Sequence, residues 1–273
     1  MTRGAALATL HAQAPTRRTF LAVGAGLALA GLLPGCGTRQ GPEELGGRDR
    51  SEAALLARPA DPARPFPRPG THLLGLEEDR DSLLYVPPGI RAGDAGPMVI
   101  TLHGAGGDSN GGLALLRPLA DERGLLLLAP ASRGRTWDAI GAGFGPDVEV
   151  IDRALQRVFS AVAVDGERIA VAGFSDGASY ALGLGGANGG LFDAVVAFSP
   201  GFVPVAPQEG APRFFVSHGT DDDVLPIDRT SRRIVPALRE EGLDVTYREF
   251  SGPHTVPPEI VREAVDWLGW GPR

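Results

Sequence analysis

The sequence predicts an α/β fold, a doubly wound and mainly parallel sheet with helices on both faces and no large lid domain. Three observations carry this. From residue 71 onward, short apolar runs alternate with stretches of helical period, the order that builds parallel sheets. Several of the short runs are apolar at nearly every position, among them Met98-Val-Ile-Thr-Leu102 and Leu125-Leu-Leu-Leu128, as expected of strands covered on both faces. The helical stretches carry terminal signals: Asp228 and Pro257 are start signals, and Gly242 follows the fourth helix as a stop.

In chain order, His72–Glu77 and Ser82–Val86 read as strands separated by only a short turn, so they are expected to pair antiparallel at one edge. Pro97–His103 is a third strand, Gly112–Arg123 a helix and Leu125–Ala129 a fourth strand. Asp147–Ala161 (helix), Arg168–Gly173 (strand), Gly177–Ala187 (helix) and Ala194–Ser199 (strand) follow. Arg213–His218, Asp228–Glu241, Val245–Phe250 and Pro257–Leu268 complete the alternation of strand and helix. There is no internal repeat.

The N-terminal part has a different character. Thr16-Arg17-Arg18-Thr19-Phe20-Leu21 sets paired arginines before an apolar, small-residue run from Phe20 to Leu33. That run is shorter than the roughly 20 residues a membrane span needs and suits a signal h-region; the segment resembles a twin-arginine export signal. Leu33-Pro34-Gly35-Cys36 resembles a bacterial lipobox, although Pro34 is an unusual occupant. It implies lipidation at Cys36; the alternative is a simple secretory signal with an incidental cysteine. Residues 1–36 are thus expected to be a signal, 37–70 a Pro- and Gly-rich linker, and 71–273 the folded domain. Asp61–Gly70 reads as an extended polyproline spacer that would stand the domain off a membrane, and Ser51–Arg58 as a short helix.

Composition narrows the function. Cys36 is the only cysteine of 273 residues, which excludes an intramolecular disulfide and a thiolate metal cluster. All 26 basic residues are arginine against 33 acids, a net charge of −7, and three of those arginines lie in the first 36 residues. An acidic domain is a poor surface for nucleic acid, and a chain without lysine has no Walker-type nucleotide site.

Chemistry concentrates at Gly173-Phe174-Ser175-Asp176-Gly177, a G-x-S-x-G pattern between an apolar strand and a small-residue helix. Glycines allow a tight turn that holds the central hydroxyl clear of the sheet edge. A serine hydroxyl is a weak nucleophile. It needs a histidine base, a carboxylate to orient that base, and N–H donors for the developing oxyanion. Of the five histidines, His11 lies in the signal, His72 opens the domain, and His103 and His218 end strands. His254 alone lies downstream of every acid candidate, in the loop before the last helix, the slot for the base. For the acid, Asp221, Asp222 and Asp223 are adjacent, and composition leaves open which faces the site. The Asp176 N–H is one expected oxyanion donor, and the glycine-rich loop Leu102–Asp108 supplies the other. Trp137, in Arg135-Thr-Trp-Asp138, is a candidate wall of the substrate pocket, with core packing as the alternative.

Together Leu102-His-Gly-Ala-Gly-Gly107, Gly173-Phe-Ser-Asp-Gly-Ala178, His218-Gly-Thr-Asp-Asp-Asp-Val-Leu-Pro226 and Gly252-Pro-His-Thr-Val-Pro-Pro258 resemble the small α/β-hydrolase esterases. These are the carboxylesterase/phospholipase-like group, near the polyhydroxybutyrate-depolymerase-like and feruloyl-esterase-like proteins, and the resemblance spans about residues 75–270. It implies Ser175 as nucleophile, His254 as base and Asp222 as acid, the residue four after the histidine in the H-G-x-x-D motif. It implies Ala105 as the upstream oxyanion donor beside Asp176, whose position often holds glutamine or methionine in related enzymes. The function implied is hydrolysis of a small or polymeric carboxylic ester through an acyl-enzyme, with no metal or organic cofactor; the N-terminal pattern adds the expectation of an exported, cell-envelope protein. A thioesterase, acyltransferase or peptidase would use the same triad, and a non-catalytic envelope module would keep the fold without the reaction.

Overall fold

The computed structural model describes residues 52–270. The export signal, Cys36 and the first part of the expected linker lie outside the described residues.

Eight strands form one sheet: β1 (Gly70–Leu73), β2 (Leu83–Val86), β3 (Gly96–Leu102), β4 (Leu126–Ala129), β5 (Val164–Phe174), β6 (Ala194–Phe198), β7 (Arg213–Gly219) and β8 (Val245–Phe250). Their spatial order is β1-β2-β4-β3-β5-β6-β7-β8. β1 pairs antiparallel with β2, as the short turn implied, and β2 antiparallel with β4; every other pairing is parallel.

Side chains alternate across the parallel strands, and each face has its own core. Met98, Ile100, Leu102, Ile169 and Val171 point into the core shared with α3 (Pro146–Phe159), α4 (Asp176–Ala187) and α5 (Ser231–Glu240). Val99, Ala170, Ala172, Val196 and Phe215 point into the other, covered by α1 (Ser109–Ala114), α2 (Arg117–Arg123) and α6 (Pro258–Leu268). Helices therefore cover both faces, as the apolar strand runs required.

Several boundaries differ from the sequence reading for local reasons. The single helix expected over Gly112–Arg123 is two, α1 and α2: Leu116 is the N-cap of α2 and Pro118 sits in its first turn, where a missing N–H costs nothing. β1 ends earlier than the expected Glu77 because the Asp81 carboxylate takes the N–H groups of Gly75 and Leu76, turning the chain after Leu73, and it starts two residues before His72, where Gly70 pairs with Val86. β5 begins at Val164, four residues before the expected start, because a register shift admits the polar Asp165-Gly-Glu-Arg168 segment that hides the strand from an apolar pattern.

The largest correction concerns residues 52–70. No helix forms over the described part of 51–58; instead Ala53, Leu55 and Ala57 are buried in the α3/α4 core. Asn188, the C-cap of α4, clamps this segment: its Oδ1 accepts from Leu55 N and its Nδ2 donates to Ala53 O, each at 2.8 Å. Asp152 Oδ1 accepts from Leu56 N and Ala57 N. Ala63 N and Arg64 N donate to Ser160 O, and Phe66 packs on the core. The stretch expected to be a free spacer is thus bonded along the body, and packing starts by residue 53 rather than 71. Alternating small apolar residues are a weak sequence signal, which is why the segment read as linker.

Candidate active site

Ser175 stands at the turn from β5 into α4 with φ 57° and ψ −120°, a conformation that a non-glycine residue adopts only when its surroundings force it. Here the forcing is steric. A Cβ on Gly177 would stand 2.5 Å from His103 O and closer still to Leu102 O, and a Cβ on Gly173 would overlap the Gly177 carbonyl. Only glycine lets α4 start this near to the ends of β3 and β5. The Ser175 N–H donates to Phe198 O at the end of β6, which fixes the turn from the other side.

Three separate segments then converge. His254, in the loop between β8 and α6, lies with Nε2 2.9 Å from Ser175 Oγ and Nδ1 2.6 Å from Asp222 Oδ2. A carboxylate accepts only, so Nδ1 carries the proton and Nε2 offers its lone pair to the serine hydroxyl. The imidazole also packs on Phe174, ring centroids 4.7 Å apart. Of the three adjacent aspartates the structure brings Asp222 to the histidine, the residue implied by the motif spacing. Gly219 permits the approach of the acid and base loops, since a Cβ there would stand 2.6 Å from Pro253 O.

Asp222 is buried yet saturated with donors. Its Oδ1 accepts from Val224 N at 3.0 Å and Leu225 N at 2.7 Å, while Oδ2 faces both His254 and, at 3.1 Å, His218 Nε2. Burial alone would push its carboxyl up; the Leu225 N–H and the two imidazoles outweigh burial and hold it below the usual carboxylate range. His218 is the residue that sequence reasoning passed over. It is fully buried, its Nε2 faces only acceptors (Leu225 O and Asp222 Oδ2), and its Nδ1 lies 2.7 Å from Ser231 Oγ. Nε2–H therefore donates, Ser231 donates to Nδ1, and burial keeps the ring neutral by lowering its pKa. The signal was in the sequence, because His218 opens the motif that located Asp222.

The β3–α1 loop passes the serine closely: a Cβ on Gly104 would lie 3.4 Å from Ser175 Cβ. Within it, the Ala105 N–H has no acceptor among the described residues. Asp176 is the first residue of α4, where N–H groups have no intrahelical acceptor. Both expected oxyanion donors are thus free to bond elsewhere. The loop after β4 braces this side. Gly106 N donates to Arg135 O, Thr136 Oγ1 donates to Asp176 Oδ2 at 2.6 Å, and Ser132 N donates to His103 Nε2. Asp147, itself buried, anchors the brace by accepting from Arg133 N and Asp138 N.

Trp137 is not a pocket wall. It is 1 % exposed, its Nε1 donates to His103 O at 2.8 Å, and its ring packs between His103 and Tyr180. The indole supports the β3–α1 loop from beneath. A large aromatic next to polar residues looks the same in sequence whether it faces a cleft or the core.

No protein-family model matches the chain, and no curated protein matches it. Solved structures do. Esterase PE8 is 23 % identical with a TM-score of 0.52, the match covering 66 % of this chain and 95 % of that one. A ferulic acid esterase from Anaeromyces mucronatus is 18 % identical with a TM-score of 0.56, covering 75 % and 91 %. Thermogutta terrifontis esterase 2 phosphorylated by paraoxon is 18 % identical with a TM-score of 0.55, covering 74 % and 94 %. At these identities the likeness is one of architecture: the chain has the α/β-hydrolase fold these esterases share.

Proposed function

We propose that the protein is a serine hydrolase of carboxylic esters. The observation that carries the reading is the unbroken hydrogen-bond chain Ser175–His254–Asp222, built from loops after β5, β8 and β7. Ser175 Oγ attacks the ester carbonyl while His254 Nε2 takes its proton. The Ala105 and Asp176 N–H groups receive the oxyanion, and Asp222 stabilises the imidazolium that forms. Collapse of the tetrahedral adduct breaks the carbon–oxygen bond of the alcohol, which leaves with the proton from His254. Water, deprotonated by the same histidine, then releases the acid and restores the serine. The esterases sharing the fold support this reading, as does the phosphorylation by paraoxon of one of them.

Ser175→Ala is expected to abolish hydrolysis of p-nitrophenyl acetate, a loss of at least about a thousandfold, with an unchanged circular dichroism spectrum. Retention of more than a trace of activity by this variant overturns the reading. The N-terminal signal adds export and a lipid tether at Cys36 to the same proposal. Palmitate label that Cys36→Ser leaves unchanged, or its absence from the natural chain, would refute the tether.

A further inference from the structure

A groove of about 470 Å³ runs between the α1–α2 pair and the start of α6. Ala114, Leu115, Leu119, Phe174, Val256 and Val261 line it, and His254 forms part of its wall. Three further grooves among the described residues lie elsewhere, and none of these three is lined by Ser175, Asp222 or His254. Neither Ser175 nor the β3–α1 loop residue Ala105 lines the groove, so it opens on the side of the imidazole rather than on the side of the oxyanion donors.

That asymmetry has a chemical meaning. In the tetrahedral adduct the oxyanion turns to the Ala105 and Asp176 N–H groups, while the oxygen that must be protonated lies against His254 Nε2. A substrate part bound beyond the imidazole is therefore the part attached to that oxygen. We propose that this groove holds the alcohol part of the ester and selects an apolar, uncharged alcohol, a medium-chain alkyl or aryl group, over a polyhydroxylated sugar. The inference rests on the esterase reading and deepens it.

The lining supports the choice of alcohol. Apart from His254, its polar side chains are Thr255 and Arg262. Arg262 Nη1 is matched by both carboxylate oxygens of Glu122 at 3.2 Å, so the groove offers no unpaired positive charge to an anionic alcohol. A sugar placed there would lose water from hydroxyls that find few partners, whereas each methylene placed there is removed from water.

The test is kcat/KM for acetate esters of ethanol, butanol, hexanol and octanol, together with p-nitrophenyl acetate and a mono-acetylated methyl xyloside, on the purified natural chain. kcat/KM reports acylation, the step in which the alcohol is still attached. The expected result is a rise of at least about tenfold from ethyl to hexyl acetate, allowing for partial burial of each methylene, with the xyloside ester below both. Ala114 is exposed on α1, so Ala114→Trp enters the groove from the surface and should flatten the dependence on alcohol length. If p-nitrophenyl acetate is hydrolysed while the rates are flat across the alcohols or favour the xyloside, the groove assignment is overturned and the esterase reading stands. If p-nitrophenyl acetate and every ester are inert, the esterase reading itself falls and takes the groove with it.

Discussion

The two halves of the candidate site are held by different forces. The serine half is fixed by excluded volume: Gly173 and Gly177 leave no room for a Cβ, and Ser175 takes its strained φ because the backbones of β3, β5 and α4 meet there. The acid–base half is fixed by hydrogen bonds, with Asp222 gripped by Val224 N, Leu225 N, His218 and His254. A steric device works entirely or fails entirely and does not titrate. A hydrogen-bonded device can lose one donor at a time, and it responds to pH.

The sharpest way to break this contrast is Gly177→Ala. Its single methyl would have to displace the backbone at Leu102 and His103, so we expect a loss of about 3 kcal/mol or more in stability and no measurable esterase activity. Denaturant unfolding and a p-nitrophenyl acetate assay check it; a variant with natural stability and activity would show that the elbow is not sterically fixed. On the other half, His218→Phe removes one of several donors to Asp222. The expected cost is about tenfold in kcat, the scale of one hydrogen bond to a charged group, with KM little changed, while His218→Gln, which can still donate, should recover part of it.

Acid should also cost stability through two buried histidines, His218 in the hydrogen-bonded half and His103 in the loop beside the serine. Burial lowers the His103 and His218 pKa values below the ordinary histidine range, so on acidification the unfolded chain binds protons that the folded one refuses. Their contribution is complete above about pH 6.5 and is lost as pH falls through the lowered values. Asp222, whose pKa is held down in the fold, adds its own loss only in stronger acid. The melting temperature should therefore be lower at pH 5 than at pH 8, and the difference should shrink in His218→Phe. Equal melting temperatures would contradict the burial argument. The smallest effect is expected for Asp176→Ala, which removes the acceptor of the Thr136 hydroxyl but keeps the N–H: about 1 kcal/mol in stability and less than tenfold in activity, read by thermal unfolding and initial rates.

The same contrast explains what the sequence made legible. Features dictated by backbone sterics or by chain order were readable, since the glycines at 173 and 177 and the late position of His254 are local patterns; the choice of Asp222 among three adjacent aspartates came only from the family resemblance. Features dictated by tertiary placement were not. Trp137 reads equally as wall or core, and only the fold decides that its indole faces His103 and Tyr180. Ala53, Leu55 and Ala57 read as linker because they are held by Asn188 and Asp152, 95 to 135 positions away. The groove beside His254 is assembled from α1, α2, β5 and α6, so no window of sequence contains it. The break between α1 and α2 was readable in principle, since Pro118 disfavours a helix running through it.

The central claim is that Ser175 is a nucleophile activated by His254. The most direct measurement is intact-mass spectrometry after exposure to paraoxon, with peptide mapping of the adduct. We expect one diethylphosphoryl group per chain on Ser175, no adduct on Ser175→Ala, and at least about a hundredfold slower labelling of His254→Ala. An unlabelled natural chain, or label that maps to another residue, would contradict the account.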